Sequence, residues 1–402
     1  MNRRLLLKAL ATLAMASGVA GFTTAHASDP IRIGVSAPKT GPLAGGAAVT
    51  FWPNVQLWVS EVNKRGGLRM ADGSQRPIEM IEYDDRTDPA EAIRNIQRLA
   101  TTDRADFILA PYGTGLALAA APIFDRYGYP MINVSAITDQ TQTLAQRYER
   151  IFFTLGRTTD LAVAVANVLT DMRNAGQIGN KVALVNVADA FGIELAQAAR
   201  PIFQQNGFDI VFDRSYPPAT QDLSPVMRGV KSSNPDAFVA FSYPPDTFAL
   251  TELAQIENLD VKAFYTAVAT PFPSYAGRFG DKINGVLGVG GVNPDSPEFL
   301  AYQKAHKEVS GADPDYWASA VTYASFQVLE QAIEGAGGVD RGAVADYIKQ
   351  NSFETVMGTW TFENQEIQNF WTVGQWQNGK FYGVASTGDL PGAVAPIVRQ
   401  GW

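Results

Sequence analysis

At 402 residues the chain is too long for one small core and suits two domains. Its composition, 46% hydrophobic and 18% charged, is that of an ordinary globular protein. It has no cysteine, which excludes disulfides, thiol catalysis, cysteine metal sites and a lipidated N-terminal cysteine, and its net charge of −8 argues against nucleic acid and anionic membranes as partners.

Residues 1–27 read as a cleavable signal peptide. Arg3, Arg4 and Lys8 form a basic start, Ala9 to Phe22 is apolar or small, and Ala25-His26-Ala27 is a small-x-small cleavage site. The apolar part is short for a membrane anchor. Removing this segment takes away three cations and no acid, so −8 becomes about −11 for the mature chain. The expectation is export by the general secretory route to the periplasm, with no lipid anchor. His26 leaves with the signal, so His306 is the one histidine left. It lies in the charged, helix-like stretch Tyr302 to Glu308 and reads as solvated rather than catalytic. With no second histidine and no G-x-S-x-G elbow, an enzyme is not expected. A His/Cys zinc site is excluded, and no cofactor is expected.

Ile31 to Ser36 alternates as a first strand and turns at Thr40-Gly41-Pro42. Leu43 to Gly46 continues as a loop of small residues. Phe51, Val55, Val59 and Val62 fall at helical spacing, and Gly66-Gly67 stops that helix. Pro77 to Tyr83 is the second strand. The acids of Asp84-Asp85-Arg86-Thr87-Asp88-Pro89 lack a metal-loop pattern; Asp88 caps a helix with Pro89 first and Glu91 third.

Phe107 to Ala110 reads as a buried strand and the alanine-rich stretch from Leu116 to Phe124 as a packed helix. Tyr112-Gly113-Thr114-Gly115 therefore sits where a strand end meets a helix start. Free N–H groups and the positive end of the helix dipole converge there, which suits a carboxylate. The same glycines also suit an ordinary βα connection. Pro130 to Val134 is the next strand and ends in a second hydroxyl-bearing turn, Ser135-Ala136-Ile137-Thr138. Two such turns in neighbouring βα units point at one crevice.

A domain crossing is read at Gly156 to Thr159, and a second βα series follows. Its strands are Lys181 to Val187, Asp209 to Phe212, Ala237 to Phe241 and Val261 to Tyr265. Phe191 and Tyr243, just past two of these strands, face a cleft or pack in the core. Gly285 to Gly291 is a return crossing. Helices from Pro297, Tyr316 and Val344 rejoin the first domain, and Phe370 to Val384 makes a hairpin around Gln377-Asn378-Gly379.

In order and spacing, several stretches resemble the leucine/isoleucine/valine-type solute-binding proteins of ABC importers. They are Ile31 to Val35 with Thr40-Gly41-Pro42, Glu61-Val62-Asn63 with Gly66-Gly67, and Tyr83-Asp84-Asp85 with Asp88-Pro89. Ala190-Phe191-Gly192 and Thr355-Val356-Met357-Gly358 continue the series. The resemblance implies an α/β, two-lobed type I periplasmic binding fold. Each lobe is then a mostly parallel sheet flanked by helices, and three hinge crossings join the lobes. Lobe 1 is expected at 28–156 plus 292–357, and lobe 2 at 157–291 plus 358–402.

The implied function is to close on a small ligand and deliver it, as a monomer, to an inner-membrane ABC permease. Matched by motif, Thr114 holds the ligand carboxylate, Ser135 and Ala136 give main-chain contacts, and Ile137 falls where a threonine is common. Phe191 and Tyr243 match second-lobe aromatics, and Gly46 lies where an aromatic often covers the ligand. The family's amino-acid binders hold the ammonium with a glutamate, but the matching position is Val268, with no acid from Thr266 to Thr270. A buried ammonium without a carboxylate costs on the order of several kcal/mol. Asp189 or Asp246 could substitute, but neither is at the matching position. The expected ligand is therefore a carboxylate with an apolar, aromatic body, for which Tyr112, Phe191 and Tyr243 are suited. An aliphatic amino-acid or amide binder and a periplasmic sensor protein are the alternatives.

Overall fold

The computed structural model describes residues 29–402; the signal-peptide reading of 1–27 lies outside the described residues. The first half builds a parallel sheet in which Ile31–Ser36 lies between Ile78–Tyr83 and Phe107–Leu109. Met131–Asn133 runs beside Phe107–Leu109 and pairs in parallel with Ile151–Phe153. These short strands are buried throughout, as runs covered by helices on both faces must be. The helices Trp52–Lys64, Pro89–Thr101 and Thr114–Tyr127 supply part of that cover, joined later in the chain by Pro297–Ser310 and Ala318–Ala336.

The second half holds a seven-stranded sheet. Asp209–Tyr216, Lys181–Val187, Ala237–Phe241, Ala263–Thr266 and Leu287–Val289 run parallel in that spatial order. The hairpin Phe370–Gln377 and Lys380–Thr387 then closes the edge in antiparallel register. Asn378 and Gly379, both left-handed at φ 51° and 81°, make its two-residue turn. The α/β, two-lobed architecture with mostly parallel sheets is the one the sequence predicts.

The chain passes between the lobes after Ile151–Phe153 and after Leu287–Val289. The third passage comes later than the expected break at 358. Gly358–Trp360 pairs with Phe353–Thr355, and Glu366–Ile367 pairs with Ile151–Phe153 through Glu366 and Phe153. Residues 358–367 thus extend the first lobe, and the chain leaves it just before Phe370–Gln377. The pairing segments are two and three residues long, too short to show a period.

Three local readings change. Leu43 to Gly46 is not simply loop: a short helix, Ala44–Thr50, starts within it. Helix Pro273–Phe279 was not anticipated. His306 is not solvated: it is 1% exposed, packs beside Tyr302, and its Nδ1 pairs with the Ala312 carbonyl at 2.9 Å. The charged residues around it occupy the outer side of helix Pro297–Ser310, while His306 shares the inner side with Phe299 and Tyr302. Among the described residues no helix is long and apolar enough to cross a membrane.

Candidate functional site

Parallel strands deliver their carboxyl ends to one edge of a sheet, so loops far apart in sequence meet there. In the first lobe, Ser36 is level with Tyr83 and Val35 with Leu109. The loops that follow bring together Gly41 to Gly45, Thr87, and Gly113 to Leu116. In the second lobe, Asn186 is level with Phe241 and Val187 with Tyr216. The loops after these strands carry Asp189, Pro218 to Gln221, and Tyr243 to Asp246. Between the two sets of loops lies a cavity of about 760 Å³. This is within the range of small-molecule sites.

The turn after Phe107–Leu109 is built as the sequence predicts. Gly113 takes φ 105° and ψ 144°, a conformation that disfavours any side chain, and helix Thr114–Tyr127 begins directly after it. Its first-turn residues Gly115 and Leu116 line the cavity. The N–H groups of that turn have no intrahelical acceptor.

The ten anticipated residues occupy one region but do not all reach the cavity. Tyr243 lines it. Phe191 stacks on Tyr243, with centroids 5.1 Å apart and planes at 28°. Tyr112 is buried across the cleft; the Thr50 hydroxyl donates to its oxygen at 3.2 Å, and burial pushes it up to about 12. Gly46 lies under Tyr112, where an added Cβ would stand 2.7 Å from the phenolic oxygen. The space a side chain at Gly46 would take is thus filled by the Tyr112 ring.

The Gly113 N–H donates to Ser135 Oγ at 2.8 Å. Thr114 is 1% exposed, and its hydroxyl oxygen accepts from the Ile137 N–H at 3.2 Å. The two hydroxyl-bearing turns are therefore fastened to each other, with Ala136 buried between them. Val268 is held by main-chain bonding: its N–H donates to the Ser242 carbonyl, and its own carbonyl accepts from Thr247 Oγ1 at 2.6 Å.

No acid occurs from Thr266 to Thr270, yet Asp189 and Asp246 both line the cavity. The sequence argument against an amine, taken at Val268, therefore does not extend to the whole site. Burial raises the Asp189 carboxyl above its usual range, against the Gly192 N–H and the Tyr243 hydroxyl that favour its charge. Burial likewise pushes Asp246 up to about 6, against the Tyr243 N–H and the nearby Tyr216 hydroxyl. The lining residues include no lysine, arginine or histidine. The Pro218 to Gln221 wall carried no sequence signal, being an irregular loop without a motif. Asp189 and Asp246, the two acids the sequence offers in place of the missing glutamate, are both on the lining because neighbouring parallel strands end side by side.

The lobes touch beyond the cavity. Glu194 of helix Ala190–Gln205 accepts from Thr138 Oγ1 at 2.9 Å and from the Asp139 N–H at 2.7 Å. Asp139 in turn accepts from the N–H and hydroxyl of Thr159 at 2.9 and 2.6 Å. Asp88, in the acidic loop near the cleft, accepts from the Glu91 N–H at 2.7 Å, the helix cap the sequence predicts.

A family model described as a periplasmic binding protein matches residues 30–380. An amino acid binding protein of Pseudomonas aeruginosa is 23% identical over 387 residues, covering 95% of this chain and 99% of its own length. A Rhodopseudomonas palustris ABC-transporter solute-binding protein solved with benzoate superposes with a TM-score of 0.75 at 20% identity, over 92% of this chain and 99% of that one. A branched-chain amino acid transporter substrate-binding protein of Streptococcus pneumoniae, solved with isoleucine, gives 0.75 at 21%, over 89% and 98%.

Proposed function

Because the chain belongs to the periplasmic binding protein family, we propose that it is the extracytoplasmic solute-binding component of an ABC importer, closing on a small carboxylate with an apolar, ring-sized body and passing it to a permease. The cavity between the lobes carries this reading. One wall is the start of helix Thr114–Tyr127, where free N–H groups favour an anion. The opposite wall offers Tyr243, backed by Phe191. Leu43, Leu116 and Val187 add aliphatic surface around a ring.

The neighbours solved with benzoate and with isoleucine support a carboxylate as the shared feature and leave the body open between aromatic and aliphatic. Aromatic walls favour a ring. Two lobes that close around a ligand provide the change of shape a permease reads.

The test is a thermal-shift panel on the mature protein with benzoates, phenylpropenoates, aliphatic amino acids and amides. A specific ligand raises the midpoint by mass action, so carboxylates should raise it and the matching uncharged amides should not. Equal shifts from acid and amide would remove the carboxylate from the reading.

A further inference from the structure

A second cavity, of about 310 Å³, lies at the hinge and shares no lining residue with the cleft. Its walls come from both lobes. Val292 follows the crossing after Leu287–Val289, and Phe299 and Trp360 belong to the first lobe. Trp371 lies at the start of the second-lobe hairpin, and Leu390 follows that hairpin's last strand. The space is at the lower end of small-molecule sites.

Two tryptophans set its chemistry. Trp360 and Trp371 are 4% and 5% exposed, yet neither indole N–H has an acceptor among the described residues. Four of the other five tryptophans, Trp52, Trp58, Trp376 and Trp402, donate to oxygens at 3.1, 3.0, 2.7 and 3.1 Å. A donor taken out of bulk water and left unpaired costs free energy, so it marks a place for an acceptor. The Trp371 ring lies close against Gly383, where an added Cβ would stand 2.1 Å from it. Glu298 is the one charged residue on the lining; it is exposed and makes no ion pair among the described residues. With that carboxylate present and no lysine, arginine or histidine, the lining disfavours an anion.

We infer that the hinge cavity is a second ligand site, for a small uncharged molecule with an apolar body and an oxygen that accepts from the indole N–H of Trp360 or Trp371. Phe299, Met357 and Leu390 surround the body. The inference does not depend on what the cleft binds. A ligand with walls on both lobes makes different contacts at different lobe angles, so by linkage it is an effector of closure.

The experiment is an NMR titration of the mature protein carrying nitrogen-labelled tryptophan. Acetophenone has a ring and an acceptor; toluene has the ring alone. Trp360→Phe and Trp371→Phe assign the two indole signals. Acetophenone should move both signals saturably, and toluene should bind roughly fivefold more weakly or worse, the loss of one neutral hydrogen bond. At least one phenylalanine variant should show the same loss for acetophenone. Met357→Trp fills the cavity and should abolish binding, with its melting point reporting whether it folds. Saturating acetophenone should also change the radius of gyration of the parent.

Unmoved indole signals overturn the inference, as does equal affinity for toluene or full affinity in both phenylalanine variants. Unchanged affinity in a folded Met357→Trp protein places the probe elsewhere and overturns it too. If Met357→Trp does not fold, the phenylalanine variants carry the test. Saturation that leaves the scattering unchanged overturns the effector role.

Discussion

Thr114 shows how a single hydroxyl fastens two turns beside the cleft. Its oxygen accepts from the Ile137 N–H and ties the first two ligand-side turns together. Thr114→Ala leaves that buried N–H without an acceptor, which costs about 1–3 kcal/mol of folding stability. If the hydroxyl also meets the ligand, affinity falls by a similar amount, and Thr114→Ser restores both. Urea unfolding alongside ligand titration separates the two effects; unchanged affinity in the alanine variant would leave Thr114 a structural residue. The sequence singles out this position as a hydroxyl at a strand–helix junction, a pattern an ordinary βα connection shares. Its partner was not legible, since Ile137 contributes only a main-chain N–H.

At the scale of elements, helix Ala190–Gln205 stacks Phe191 on Tyr243 at its start and latches the lobes through Glu194. The latch lies in the same helix as Phe191, which backs the cavity residue Tyr243, so one element serves both the lobe contact and the cavity wall. Glu194→Ala removes both of these bonds between the lobes. Apparent affinity scales with the population of the closed state, so it should fall about three- to tenfold for a loss near 1 kcal/mol. Small-angle scattering should show a larger radius of gyration for the unliganded variant than for the parent. Identical scattering and identical affinity would mean the latch does not bias closure. The sequence predicts this helix from Ile193 to Asn206, within three residues of its bounds, because its start follows a strand and its apolar residues recur at helical spacing. Glu194 carried no such signal: its partners lie 55 and 56 positions away.

For the whole molecule, buried carboxyls set the pH response. Burial pushes Asp315 up to about 7, against N–H groups of Trp317 and Ser319 that favour its charge. Burial also raises Asp85 to about 6, against the Thr87 N–H. With Asp246, also at about 6, these groups hold protons in the folded state more tightly than at their ordinary value of 3.8. Their contribution is therefore full below about 4 and is lost as pH rises toward 6 and 7. Asp84 runs the other way. Its partial burial is outweighed by donors from Thr40 and Lys39, which hold it at about 2, so its contribution is lost only below about 4. Unfolding free energy of the ligand-free protein should fall between about pH 4 and pH 7, and Asp315→Asn should flatten that slope. A flat parent profile would show that these carboxyls do not titrate as their burial implies.

The sequence by itself determined the two α/β lobes, most helices and strands, the turn at Gly113 and the acid-free stretch around Val268. These are local properties: hydrophobic period, breaker residues and caps act over a few positions, and the strand–helix alternation then leaves few topologies. Tertiary structure decided which residues meet. It set the third crossing after Glu366–Ile367, buried His306, placed Tyr112 over Gly46, and turned Asp189 and Asp246 into one cavity with the start of helix Thr114–Tyr127. Those outcomes depend on strand order and on how two sheets face each other, and neither quantity is written in any short stretch of chain.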